Sequence, residues 1–172
     1  MQIQCKTSMM HLEEMPLDIG YASEEVKLTD LEGNTHTLGG HNGKTQLIIT
    51  LPYIDESYTN ELKGIAKDLP HGGDHIVDAC IIMANDKHEA PQIEGFDFFI
   101  DKDEEFADYY GVKLRGAPYD SELTKAIILI SKDVAIFYDE FSQDITENLN
   151  TATFARKILE ATECYPCPVL PL

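Results

Sequence analysis

Leu47-Ile48-Ile49-Thr50-Leu51-Pro52-Tyr53-Ile54-Asp55-Glu56-Ser57-Tyr58-Thr59 is the stretch that decides the fold. Its first five residues form an apolar run of the kind a buried central strand carries. Pro52 then breaks the run and opens a short loop. Beyond the stretch, Leu62, Ile65, Ala66 and Leu69 recur at i, i+3, i+4, i+7, the spacing of one face of an amphipathic helix. A strand, a proline-led loop and a helix N-terminus in succession hold a side chain where the helix dipole favours negative charge.

Working outward, short extended segments are expected at Ile3–Cys5 and Met9–Leu12. Val26–Leu31 and Thr35–Leu38 flank Glu32-Gly33-Asn34, a hairpin signal. Gly39-Gly40 and Asn42-Gly43 punctuate the chain before the central strand. The spacing predicts a helix over 58–69, closed by Pro70-His71-Gly72-Gly73. Ile76–Met83 reads as a second buried strand and Phe96–Ile100 as a third. Asp103–Tyr110 reads as a helix with acidic residues in its first turn, stopped by Gly111. Ala126–Ser131 and Val134–Tyr138 form a hairpin around Lys132-Asp133. Thr151–Thr162 closes as a helix with Phe154, Ile158 and Ala161 on one face. The order, β-hairpins followed by β-α-β-α-β-α-β-β-α, is that of an α/β thioredoxin-like fold with an N-terminal β-hairpin extension. Residues 1–162 form the domain and 163–172 a Cys/Pro tail.

Composition narrows the function. The 172 residues suffice for one well-packed domain. Thirteen Lys+Arg against thirty-one Asp+Glu give a net charge of −18. That charge repels phosphate backbones and anionic lipid, so neither nucleic acid nor a membrane surface is expected as a partner. The apolar runs are too short to span a bilayer, and the first residues lack the apolar core of a secretory signal. A cytoplasmic location is the expectation. Four cysteines are too few for a disulfide scaffold in a chain of this length.

Several segments together resemble the bacterial thiol peroxidases, an atypical two-cysteine branch of the peroxiredoxins. Val26–Leu31 with Thr35–Leu38 is similar to the paired N-terminal strands of that family, and His75–Ile82 to its second core strand. Glu105-Phe106-Ala107-Asp108-Tyr109-Tyr110-Gly111-Val112 resembles the F-x-x-x-Y-G-V segment. Lys125–Ile130 resembles the strand R-A-V-F-V-L, and Asp144-Ile145-Thr146-Glu147 the E-I-T-x-E before the last helix. The resemblance implies a peroxiredoxin-type fold and a homodimer formed across the loop that carries Tyr53, Ile54 and Tyr58, with Tyr53 or Tyr58 buried in the contact.

The departures fall on the chemistry. The family's loop reads P-x-x-x-T/S-x-x-C; counted from Pro52, the hydroxyl position is Glu56 and the peroxidatic cysteine position is Thr59. A peroxidatic cysteine attacks as thiolate, held in that state by the helix N-terminus and a nearby cation. An unactivated threonine hydroxyl is no substitute. Glu56 places an anion where one would oppose a thiolate. The family's arginine position falls on Lys125, which keeps the charge and loses the bidentate fork. The resolving cysteine would fall near Glu89 or Ala90. Pro52 alone survives, and by itself it does no more than end a strand.

The tail holds Cys164-Tyr165-Pro166-Cys167, a C-x-x-C that reads as a candidate redox pair or half of a metal site. Pro168 and Pro171 disfavour the following helix that usually lowers the first thiol's pKa. Two thiols alone also leave a zinc site short of ligands. Cys80, mid-strand, reads as an inert core residue. His71-Gly-Gly-Asp-His75 reads as a solvated loop before it reads as a metal turn. Asp101–Glu105 imitates an EF-hand start, but Phe106 stands where glycine is required. The expectation is a thiol peroxidase-like redoxin without its peroxidatic and resolving cysteines. It has no cofactor or metal, and any dithiol chemistry, with a thiol or disulfide protein partner, runs through Cys164 and Cys167. The alternatives are a non-enzymatic binding or regulatory protein using the retained pocket or dimer face, and peroxide chemistry by a relocated cysteine.

Overall fold

The computed structural model describes residues 1–70 and 77–163. A seven-stranded sheet runs β10-β9-β5-β6-β7-β3-β4, and a separate three-stranded sheet runs β1-β2-β8. The strands are β1 (Gln2–Cys5), β2 (Ser8–Leu12), β3 (Val26–Thr29), β4 (Thr35–Leu38), β5 (Thr45–Thr50), β6 (Val77–Met83), β7 (Phe96–Ile100), β8 (Leu114–Arg115), β9 (Ala126–Ile130) and β10 (Ile136–Phe141). The helices are α1 (Glu56–Lys67), α2 (Glu105–Tyr110) and α3 (Thr151–Glu163).

Strand β5 is buried along its whole length. It pairs in parallel with β6 and antiparallel with β9, which explains an apolar run without alternation: both faces are covered. The period-2 geometry then sorts its residues. Leu47 and Ile49 point to the face where α1 and α3 pack through Leu62, Ile65, Leu69, Phe154, Ile158 and Ala161. Ile48 points to the other face, against Phe106 and Tyr110 of α2. Cys80 belongs to that second core; burial raises its thiol pKa, so it stays protonated and inert.

The turn predicted at Glu32-Gly33-Asn34 is built by Asp30, whose carboxylate accepts the Glu32 and Asn34 N–H groups and contacts His36 Nε2 at 2.7 Å. Gly111 closes α2 at φ 71°; a Cβ there would sit 2.5 Å from the Met15 carbonyl oxygen, so the position demands glycine.

Three expectations are corrected. The element order anticipated a helix between the second and third core strands, but residues 84–95 carry none. Asn85 there turns the chain by accepting the Lys87 N–H, and Pro91 follows. Helix α1 begins at Glu56, two residues before the predicted start, because Asp55 caps it by accepting the Tyr58 N–H at 2.8 Å. Strand β8, two residues long, gave no periodic signal; it pairs with β2 and makes the N-terminal hairpin a three-stranded sheet.

Candidate functional site

The predicted site lies where α1 leaves β5. Pro52 is buried immediately after the strand. Glu56, the first residue of α1, is exposed. Thr59 stands in the first turn of the helix, where the sequence placed it, and its hydroxyl donates to the Asp55 carbonyl at 2.9 Å. That bond uses the hydroxyl to close the turn, as threonine commonly does.

Lys125 occupies the residue before β9 and is fully buried. Its ammonium donates to Glu61 Oε2 at 2.7 Å and to the Glu147 carbonyl at 2.7 Å, and lies 4.5 Å from the centre of the Tyr58 ring. The Glu61 side chain is 6% exposed, and its second oxygen accepts the Leu149 N–H at 2.6 Å. Tyr58 donates its hydroxyl to the Ile145 carbonyl, and burial drives its pKa far up. Every donor direction of the ammonium thus faces a protein acceptor or the tyrosine ring, in a region closed to water. The cation is a structural tie between α1 and the 145–149 segment.

Neither Glu61 nor the role of Tyr58 was anticipated. The signal was present: Tyr58, Glu61, Leu62, Ile65 and Leu69 share one helix face, and a carboxylate on an apolar face requires a buried partner. Tyr58 also corrects an expectation. It is buried inside its own protomer, 3% exposed, so it cannot mark a subunit contact. Its surroundings are the Lys125 ammonium, the Tyr53 ring and the apolar core.

Tyr53 extends the arrangement outward. Its ring stacks on Tyr58 at 4.7 Å and 17°, and on its other side on Tyr119 at 4.8 Å and 27°. A column therefore runs from the buried Lys125 ammonium through Tyr58 and Tyr53 to Tyr119. Beside it opens a cleft of about 480 Å³, with Cys5, Lys6 and Ser8 of the β1–β2 turn, Asp55, Ser57 and Thr146 among its walls. Burial raises the pKa of Tyr53, and the carboxylates of Asp55 and Asp144 add to the effect. The tyrosines stay neutral hydrogen-bonding groups at ordinary pH.

The other candidates take no part here. Glu89 and Ala90, where the resemblance would put a resolving cysteine, lie in the loop after β6. Asp101 is no metal ligand: its two oxygens accept the Phe106 and Ala107 N–H groups at 3.0 and 2.8 Å and cap α2. Cys164 and Cys167, like His71 and His75, lie outside the described residues.

No protein-family model matches the sequence, and no curated protein sequence matches it. Solved structures do. A peroxiredoxin-like protein from Aquifex aeolicus superposes with a TM-score of 0.80 at 20% identity, over 93% of this chain and 96% of that one. A thiol peroxidase from Chromobacterium violaceum gives 0.77 at 16% identity, over 94% and 97%. Mycobacterium tuberculosis AhpC gives 0.66 at 15%, over 88% and 97%. The chain has a thioredoxin-like fold of the peroxiredoxin type.

Proposed function

We propose that this chain is a thiol peroxidase-like redoxin that has lost peroxidatic and resolving cysteines, and with them cysteine peroxidase chemistry. It acts as a binding or regulatory protein through the tyrosine-walled cleft. The observation that carries the reading is Lys125. A cation that activates a thiolate must be free to face it. This one is buried and turned onto Glu61, the Glu147 carbonyl and Tyr58. The loss therefore extends past Thr59 to the electrostatics around it. Localisation in the cytoplasm and pairing as a homodimer belong to the same reading, with the half-buried Tyr53 on the dimer face.

The Thr59→Cys variant tests it, because it restores the nucleophile alone. We expect a thiol that reacts with hydrogen peroxide at about the rate of free cysteine. Reaction orders of magnitude faster would mean that the activating surroundings survive, and would overturn the reading.

A second reading is favoured by the C-x-x-C of Cys164 and Cys167: a dithiol–disulfide couple exchanging with a thiol or disulfide partner. Cys5 and Cys80 are both buried and free, which leaves the tail pair to carry such exchange. Reductase assays on the Cys164→Ser, Cys167→Ser double variant test it; an unchanged rate ends this reading.

A further inference from the structure

The cleft beside the tyrosine column is a feature that the fold leaves unused. Its walls constrain the chemistry of an occupant. Of the described lining residues only Lys6 is cationic, and it is exposed on a turn, at φ 53°, where its long side chain can point to solvent. Asp55 lines the cleft at the column's foot, and Asp144 stands close behind Thr146. The whole chain carries −18. An anionic ligand would meet repulsion at long and at short range.

One hydroxyl of the wall is oriented as an acceptor. Thr146 donates its hydroxyl proton to Asp144 Oδ1 at 2.6 Å, which leaves its lone pairs for a ligand donor. Asp55 gives one carboxylate oxygen to the Tyr58 N–H at 2.8 Å and offers its charge to whatever lies beside it. Tyr119, half-buried, ends the column and supplies an aromatic ring at the cleft. Ring faces attract cations, and the buried end of the same column already holds one, Lys125 at 4.5 Å.

A flat group that is cationic, rich in N–H donors and free of acceptors meets all three conditions. Guanidinium does so: it stacks on tyrosine and forks onto carboxylate. We propose that the cleft binds a guanidinium-bearing ligand, stacked on the face of Tyr119 turned away from Tyr53 and paired with Asp55. The proposal rests on the reading of the cleft as a binding site and adds the class of its ligand.

The test is titration of the full chain with argininamide, with citrullinamide as the neutral near-isostere and phenylacetate as the aromatic anion, followed by the ring signals of Tyr53 and Tyr119 in NMR spectra. Saturable shifts with argininamide alone are expected. Tyr119→Ala, at a half-exposed position, should weaken them about tenfold, the size of a cation–ring contact of about 1–2 kcal/mol. Asp55→Asn keeps an acceptor for the Tyr58 N–H and removes the charge, so it should erase the preference for argininamide over citrullinamide. If citrullinamide or phenylacetate shifts the same signals equally well, the cleft is a binding site and the guanidinium assignment is wrong. If none of the three shifts them at 20 mM, roughly the weak limit of a specific small-ligand contact, the assignment is overturned. The Thr59→Cys experiment stands independently of either result.

Discussion

The two ends of α1 have met different demands. Its C-terminal half packs Leu62 and Ile65 into the core cluster shared with the sheet and α3, where shape and apolar area decide what is allowed. Its N-terminal turn exposes Glu56, closes Thr59 onto Asp55 and lays Tyr58 against a buried ion pair, where a thiolate site would need an open cation. The packing half keeps the peroxiredoxin-type fold at 20% identity or less to the solved structures it resembles. On the reading proposed above, the chemical half keeps the position and none of the reactive groups. A fold constrains residues by the area they bury, whereas a reactive site constrains them by charge and atom type, so one can be lost without the other.

The sharpest way to break this comparison is at Lys125. If the ammonium is a structural tie, Lys125→Ala leaves Glu61 as a buried, unpaired carboxylate and should cost about 3–5 kcal/mol, read as a fall in the denaturation midpoint at unchanged slope. Glu61→Gln keeps an acceptor for the Leu149 N–H and should cost less. A Lys125→Ala variant as stable as the parent would mean the cation is free, as an active site requires.

The packing half is probed by Leu62→Ala, which removes a side chain only 2% exposed. It should cost about 2–5 kcal/mol, since the cavity cannot fully collapse. A cost below about 1 kcal/mol would show that the α1–sheet contact is looser than described.

A smaller effect separates the site from a capping carboxylate elsewhere. Burial raises the Asp101 pKa to about 6, although two N–H groups of α2 favour its charged form. A raised native pKa stabilises the fold fully below the ordinary carboxylate value. The contribution is lost as pH rises through about 6. Stability relative to Asp101→Asn should thus decline by about 2–3 kcal/mol between pH 4 and 6 and stay level above. Asp139, also raised to about 6 by burial, acts in the same direction in both proteins and cancels from the difference. A difference between the two proteins that rises with pH over that range would assign the wrong sign to Asp101.

Much of the fold was legible because burial leaves patterns. The unbroken run of β5, the i, i+3, i+4 face of α1 and the glycine stop of α2 each have a single physical cause. Strand β8 was not legible, since two residues cannot express a period, and residues 84–95 were assigned a helix by the expected order of elements although Asn85 and Pro91 oppose one. At the site, spacing from Pro52 placed Thr59 correctly in the first turn of α1. The partners of Lys125 were missed because Glu61, Glu147 and Tyr58 are brought to it by tertiary packing, and Tyr58 was taken for an exposed loop aromatic when it is a buried helix residue.

The most direct measurement is peroxide consumption by the purified full chain with thioredoxin or glutathione as donor, the peroxide followed to completion. With threonine at the cysteine position and Lys125 bound to Glu61, the account predicts no turnover above the donor's own background. A rate comparable with that of an ordinary peroxiredoxin would contradict it.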